Sequence, residues 1–423
     1  MTEPPKIGFA GMTHLGLCSA IAAASKGFLT LGFEPNDALV RRLAVGDLPV
    51  TEPDLNNLLR QNASRIAFET NSARLRECDV IYVAPDVPTN DSGNSDLTDV
   101  DRLLEVVLTN TNPRAIVVVL SQVPPGFTRA RQRPGRSLYY QVETLVFGRA
   151  VERATKPERI IIGCSDPAAA LPLAMNTYLK AFDCPILPMR FESAELTKIS
   201  INCCLVASIS VANTLAELCE HIGADWSEIA PALKLDRRIG AYSYLTPGLG
   251  LAGGNLERDL ATVIRFSQEH GTEAGVIRAF VANSDYRKDW ALRTLHEALL
   301  DRTPDAVIGI LGLAYKENTH SVKNSPSIAL IRHLGAWLLR VFDPVVEPSV
   351  VPHPKVTVAS SALETARGVD GLAIMTPWPE FRHIDADDLA KVMRGRLVLD
   401  PFRVLDQASA RAAGLDYRTL GNS

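Results

Sequence analysis

Lys198 and Asn202 stand four residues apart in the segment 194–202, so on a helix they share one face. A lysine ammonium and an asparagine amide converging on one point could hold an alkoxide. That is the charge that develops when an alcohol loses a hydride. Taken alone, Lys198 fits a solvated surface lysine at least as well. A second segment, 247–259, carries Gly248, Gly250, Gly253 and Gly254 ahead of Asn255 and Asp259. Four glycines so close together let a backbone wrap around a ligand, at an entropic cost that needs a purpose. The competing reading is a mobile loop between domains. Asn255 and Asp259 are again four apart and share a face if a helix starts there.

The stretch Gly11-Met12-Thr13-His14-Leu15-Gly16 matches G-x-G-x-x-G at its first and third glycines only. Thr13 adds a Cβ where the backbone would approach a dinucleotide pyrophosphate, and a hydroxyl able to bond a phosphate. A strand precedes the turn, a helix follows, and an acid, Glu34, comes about 20 residues on. Glu34 is placed to bind a ribose 2′-hydroxyl and to repel a 2′-phosphate, which favours NAD over NADP. The alternative is a degenerate nucleotide-binding fold without cofactor.

The elements that must hold these groups follow from hydrophobic periodicity. Residues 6–10 and 28–33 read as strands around a small-residue helix at 17–26, a βαβ opening. Further strands are expected at 79–84, 115–121 and 159–163, with polar loops at 85–95 and 131–137. From Glu192 to Gly223 the pattern is one long helix, too apolar to be solvated all round. More helix runs to about Leu300, broken by the glycine-rich loop. Strands recur at 306–311, 339–342, 371–375 and 397–399, with a proline-rich loop at 343–354. The expected fold is therefore α/β. Two Rossmann-like doubly wound domains, 1–188 and 301–423, are joined by a central helical and dimerisation domain, 189–300, with a long connecting helix.

Composition narrows the class. A chain of 423 residues has room for two or three domains. A net charge of -4 gives no reason to expect nucleic acid or an anionic membrane as partner. No apolar run is expected to span a bilayer, and the start shows no signal-peptide pattern. Seven cysteines, Cys18, Cys78, Cys164, Cys184, Cys203, Cys204 and Cys219, fit neither a disulfide framework nor a zinc spacing. Buried thiols and a cytoplasmic location are expected, with no metal site.

Several segments together resemble the UDP-glucose/GDP-mannose dehydrogenase family. They are Ala194-Glu195-Leu196-x-Lys198 with Asn202, Ser121-Gln122-Val123-Pro124-Pro125-Gly126, Gln141-Val142-Glu143-Thr144-Leu145, Arg238-Ile239-Gly240, and the run from Gly312 to Thr319. Asp343-Pro344 and Val398-Leu399-Asp400 mark the third domain, and the loop 247–259 resembles the family's active-site signature. The resemblance implies an NAD-dependent homodimer acting on a nucleotide-linked sugar. It implies that Lys198, Asn202 and Asp259 serve the first hydride transfer, Asp259 through a water, and that Glu143 assists thioester hydrolysis. Gly11, Thr13, Gly16, Glu34, Asp86, Gln122 and Lys323 would face the cofactor. Arg238, Tyr244, Gly250, Gly253, Gly254 and Lys316 would face the substrate, Arg238 across a dimer.

Departures from the family pattern are as telling. Asn255 stands where the family has its nucleophilic cysteine, and an amide cannot form the thiohemiacetal of a four-electron oxidation. Gln122 replaces a water-placing threonine, Phe147 a second acid, Arg258 a lysine, Lys323 an arginine, and Asp86 the threonine of a loop near the nicotinamide. The losses gather at the second oxidation and around the cofactor. They point to a two-electron oxidation. A redox-neutral epimerase using transient oxidation, and an inactive nucleotide-sugar-binding homologue, are the alternatives.

Overall fold

Runs such as Ile7–Ala10 (β1) and Ile116–Val119 are apolar at every position and buried at every position. That is the pattern of parallel strands covered on both faces. The computed structural model describes residues 3–90, 93–351 and 353–422. Parts of three sequence-level expectations lie outside these residues: Met1 and Thr2 at the start, Asp91 and Ser92 in the polar loop, and Pro352 in the proline-rich loop.

By packing, the chain forms two units, Met1–Ile201 and Asn202–Ser423, whose boundary falls within one helix, Phe191–Ile222. The first unit holds an eight-stranded sheet. After β1 come β2 (Thr30–Phe33), β3 (Ile66–Glu69), β4 (Val80–Val83), β5 (Ile116–Val119), β6 (Ser137–Gln141), β7 (Ile160–Cys164) and β8 (Ile186–Arg190). The spatial order is β3-β2-β1-β4-β5-β6-β7-β8, parallel except for the β6–β7 pair. The chain leaves β1 for β2 on one side and returns to β4 on the other. Ligands of such sheets bind at this switch point, beyond the carboxyl ends of β1 and β4.

The second unit holds a six-stranded parallel sheet of β9 (Val307–Leu311), β10 (Leu338–Phe342), β11 (Val356–Val358), β12 (Gly371–Ile374), β13 (Leu397–Leu399) and β14 (Asp416–Arg418). Its order, β11-β10-β9-β12-β13-β14, repeats the doubly wound pattern. Helices Trp226–Leu235, Asn255–His270 and Gly275–Lys288 precede it.

The first sheet ends at Arg190, and the long helix begins at once with Phe191. One expectation needs correction, that no apolar run is long enough to cross a membrane. Phe191–Ile222 is long and apolar enough by length and composition, and residues 199–216 carry no charge. Its polar groups are nonetheless used inside the protein. The buried Asn213 accepts the Gly248 N–H at 2.8 Å, and the buried Asn202 donates to Asp259.

Candidate active site

The turn after β1 leads into the helix His14–Ser25, whose small side chains let it lie almost wholly buried on the sheet. Gly11 has φ +96, and Gly16 lies so close to the turn that a Cβ would meet the Gly11 carbonyl oxygen at 1.8 Å. Glu34, at the end of β2, accepts the Met12 N–H at 3.0 Å through Oε2 and the Asn36 N–H at 3.1 Å through Oε1. The frame therefore fits a dinucleotide. The helix N-terminus beside it is in use. Asp86, just past β4, accepts the N–H groups of His14 at 3.0 Å and Leu15 at 3.4 Å. The Asp86 N–H in turn donates to Thr13 Oγ1 at 2.8 Å. Thr13 and Asp86, both expected to face the cofactor, are thus paired with each other across the first turn.

A further network behind this turn escaped sequence reading. His14 Nε2 lies 2.8 Å from Oε1 of the buried Glu52. Glu52 also accepts the N–H groups of Gly148 at 2.9 Å and Ala150 at 3.1 Å. The Phe147 ring lies 4.2 Å from the His14 ring, centroid to centroid. The only sequence signal was Phe147 standing in place of an acid. Nothing marked Glu52, because its partners come from distant loops.

Lys198 is not a solvated surface lysine. Its Nζ lies 2.9 Å from Glu143 Oε2, with side chains only 13% and 16% exposed. The other Glu143 oxygen accepts the Leu145 N–H at 2.6 Å, which fixes the carboxylate at the end of β6. Three residues before Lys198, the fully buried Glu195 accepts the N–H groups of Gly126 at 2.6 Å and Thr128 at 2.9 Å. Burial raises the Glu195 pKa above the usual carboxylate range, while these amides oppose the shift. Glu195 thus ties the start of the long helix to the Pro124-Pro125-Gly126 turn and sets the depth at which Lys198 sits.

In the second unit Asn202 Nδ2 donates to Asp259 Oδ2 at 2.5 Å, and Arg258 Nε lies 3.4 Å from Oδ1. Asp259 is buried, as is Arg258. The helix Asn255–His270 begins directly after the glycine-rich loop, so Asn255 heads it, exposed, one turn before Asp259. Gly250, Gly253 and Gly254 have φ of +79, +86 and +96. At Gly253 a Cβ would also fall 2.7 Å from the Tyr315 ring. Lys323 closes the other side: its carbonyl accepts the Gly253 N–H at 3.1 Å, and its stem lies over Gly254.

Models of one family match nearly the whole chain: its NAD binding domain over residues 5–181, its central domain over 192–285 and its UDP binding domain over 309–407. The chain belongs to the UDP-glucose/GDP-mannose dehydrogenase family. It is 26% identical to the UDP-glucose 6-dehydrogenase TuaD of Bacillus subtilis, across 98% of this chain and 93% of that protein. It is 28% identical to a UDP-glucose 6-dehydrogenase of Pseudomonas aeruginosa, across 97% and 96%. A solved UDP-glucose dehydrogenase from the archaeon Pyrobaculum islandicum superposes with a TM-score of 0.87 at 29% identity, covering 100% of this chain and 98% of that one. Its chemistry is accordingly that of an NAD-dependent nucleotide-sugar dehydrogenase acting on a CH–OH group.

Within this family frame the remaining expected residues divide. Gln122 follows β5 beside the Glu195-capped turn. Lys316 lies beside Tyr315, its Nζ 5.7 Å from the ring centroid, near Gly253. The Arg238 side chain is 89% exposed and paired to Asp236 at 2.6 Å, and Tyr244 is 48% exposed. One acidic residue gained a role: Asp343, at the end of β10, accepts the N–H groups of Leu313 at 2.6 Å and Ala314 at 3.1 Å. It supports the Gly312 turn much as Glu34 supports the Gly11 turn, a likeness between the two sheets visible only in three dimensions.

Proposed function

We propose that this enzyme removes a single hydride from a UDP-linked sugar and stops at the carbonyl. In balance, the CH–OH group becomes C=O, two electrons leave with the hydride, and one proton leaves from the hydroxyl. NAD, when bound, supplies the hydride acceptor. Lys198 stabilises the alkoxide oxygen, and Asp259, held by Asn202, takes the proton through a water. Glu143 holds the Lys198 Nζ at 2.9 Å and so orients it.

The observation that carries the two-electron reading is Asn255, an amide, at the head of its helix. Cys203, beside Asn202, feels the charge of Asp259, but burial first and that carboxylate second push its thiol up to about 11. A thiol held protonated at neutral pH is a poor nucleophile. Incubation with NAD and a panel of UDP-sugars should yield one NADH per sugar and a product two hydrogens lighter. Two NADH and a carboxylate would defeat this reading, and an isomerised sugar without NADH would favour an epimerase.

Homodimerisation and a cytoplasmic location belong to the same proposal. Val211, Leu215, Leu218 and Ile222 repeat at helical spacing along the long helix and are 41–62% exposed. Such a stripe supports burial against a second copy. The free cysteines support a reducing compartment and therefore a soluble cytoplasmic enzyme. Leu215→Glu combined with Leu218→Glu should convert a dimer into a monomer by light scattering; a wild-type chain that runs as a monomer would remove the stripe as an interface.

A further inference from the structure

The first helix presents its N-terminal amides at the switch point of the sheet. Dinucleotide-binding turns of this kind use those amides, together with the helix dipole, to hold a pyrophosphate. In this chain both amides already have an anion. Asp86 Oδ2 takes the His14 N–H at 3.0 Å, and Oδ1 takes the Leu15 N–H at 3.4 Å. The arrangement is reciprocal, since the Asp86 N–H is held by Thr13 Oγ1 at 2.8 Å. Thr13 occupies the middle position of the glycine motif, and its hydroxyl also reaches the Ala84 carbonyl at 3.5 Å. Thus one departure from the motif anchors the backbone of the other. Asp86 sits at an exposed position of the chain, yet desolvation of its carboxyl raises its pKa, and the His14 and Leu15 amides oppose that shift.

We propose that Asp86 is a built-in competitor for the cofactor pyrophosphate, occupying its amides in the free protein and setting how weakly the dinucleotide binds. This rests on the NAD assignment and sharpens it. A carboxylate and a pyrophosphate cannot share two amides. A carboxylate that stays nearby after displacement still repels the incoming negative charge. Both effects act against any ligand bearing the pyrophosphate. Neither acts on the adenosine end, whose ribose Glu34 at the end of β2 would hold.

The test is direct binding, by calorimetry on the purified full-length chain, of NAD, ADP-ribose and adenosine to the wild type, Asp86→Asn and Asp86→Ala. Asp86→Asn removes the charge and keeps one acceptor; Asp86→Ala clears both amides. NAD and ADP-ribose should bind about tenfold tighter to both variants, a change of ~1.4 kcal/mol. Adenosine, which lacks the pyrophosphate, should not change. Equal NAD affinity in all three proteins overturns the competitor role while leaving the cofactor assignment in place. A gain shared equally by adenosine also overturns it, because the effect would then not act at the phosphates. No NAD binding by any of the three overturns the cofactor assignment itself and the proposal with it.

Discussion

Replacing Lys198 with alanine should lower kcat by about 10²–10⁴-fold, equivalent to ~3–5 kcal/mol of transition-state stabilisation. The reason lies in its placement. A lysine 13% exposed and held 2.9 Å from Glu143 has given up most of its water, so its charge acts at high strength on an oxygen brought beside it. The interaction grows as the alkoxide forms, so kcat should fall more than KM rises. Lys198→Arg should recover little, because a planar guanidinium presents its donors differently from a compact ammonium. The fold should survive the substitution, since Glu195 still ties the start of the helix to the Pro124-Pro125-Gly126 turn. Steady-state kinetics, with calorimetry as a control for folding, settle the matter. An alanine variant within threefold of wild-type kcat would mean that Lys198 is structural.

Gly16→Ala should be the most damaging small substitution in the first unit. The added Cβ would stand 1.8 Å from the Gly11 carbonyl oxygen and 3.2 Å from that of Ala84. Both are backbone atoms and cannot rotate away. The helix His14–Ser25 would have to lift off the turn, breaking the contacts of a helix buried on nearly every side. We expect a loss of at least ~4 kcal/mol, beyond the usual range for a point substitution. For a unit of this size that is a fall in Tm of roughly 8–16 °C. NAD binding should be lost along with it. A variant melting within 2 °C of the wild type would show that the turn yields more easily than its geometry implies.

Much of this architecture was legible before any coordinates. The strands missed in the sequence were β3, β6, β8, β11 and β14. Four of these are sheet edges, and the fifth, β6, alternates buried and half-buried positions beside its antiparallel neighbour. An edge or alternating strand lacks the continuous apolar run that marks a strand covered on both faces. β8 even carries Pro188, which an edge tolerates and a central strand does not. The long helix was found to within one residue at each end, because its length and apolar character extend over many turns. Its length and composition also suffice to span a membrane, a test that the core helix of a soluble protein passes equally.

The sequence alone established the family resemblance, and through it the reaction class: a glycine turn with an acid beyond β2, a lysine and an asparagine one helical turn apart, and an amide where the family has a thiol. Each pattern is local, and none of them names a reaction without the resemblance. Only the tertiary structure decided which charges meet. Glu143 reaches Lys198 from another strand, Asn202 meets Asp259 across 57 residues, and Asp86 lies on the amides of the first helix. Pairing of this kind depends on how strands order themselves in a sheet and how loops beyond their ends fold back. That is set by burial summed over the whole core, and no spacing along the chain records it.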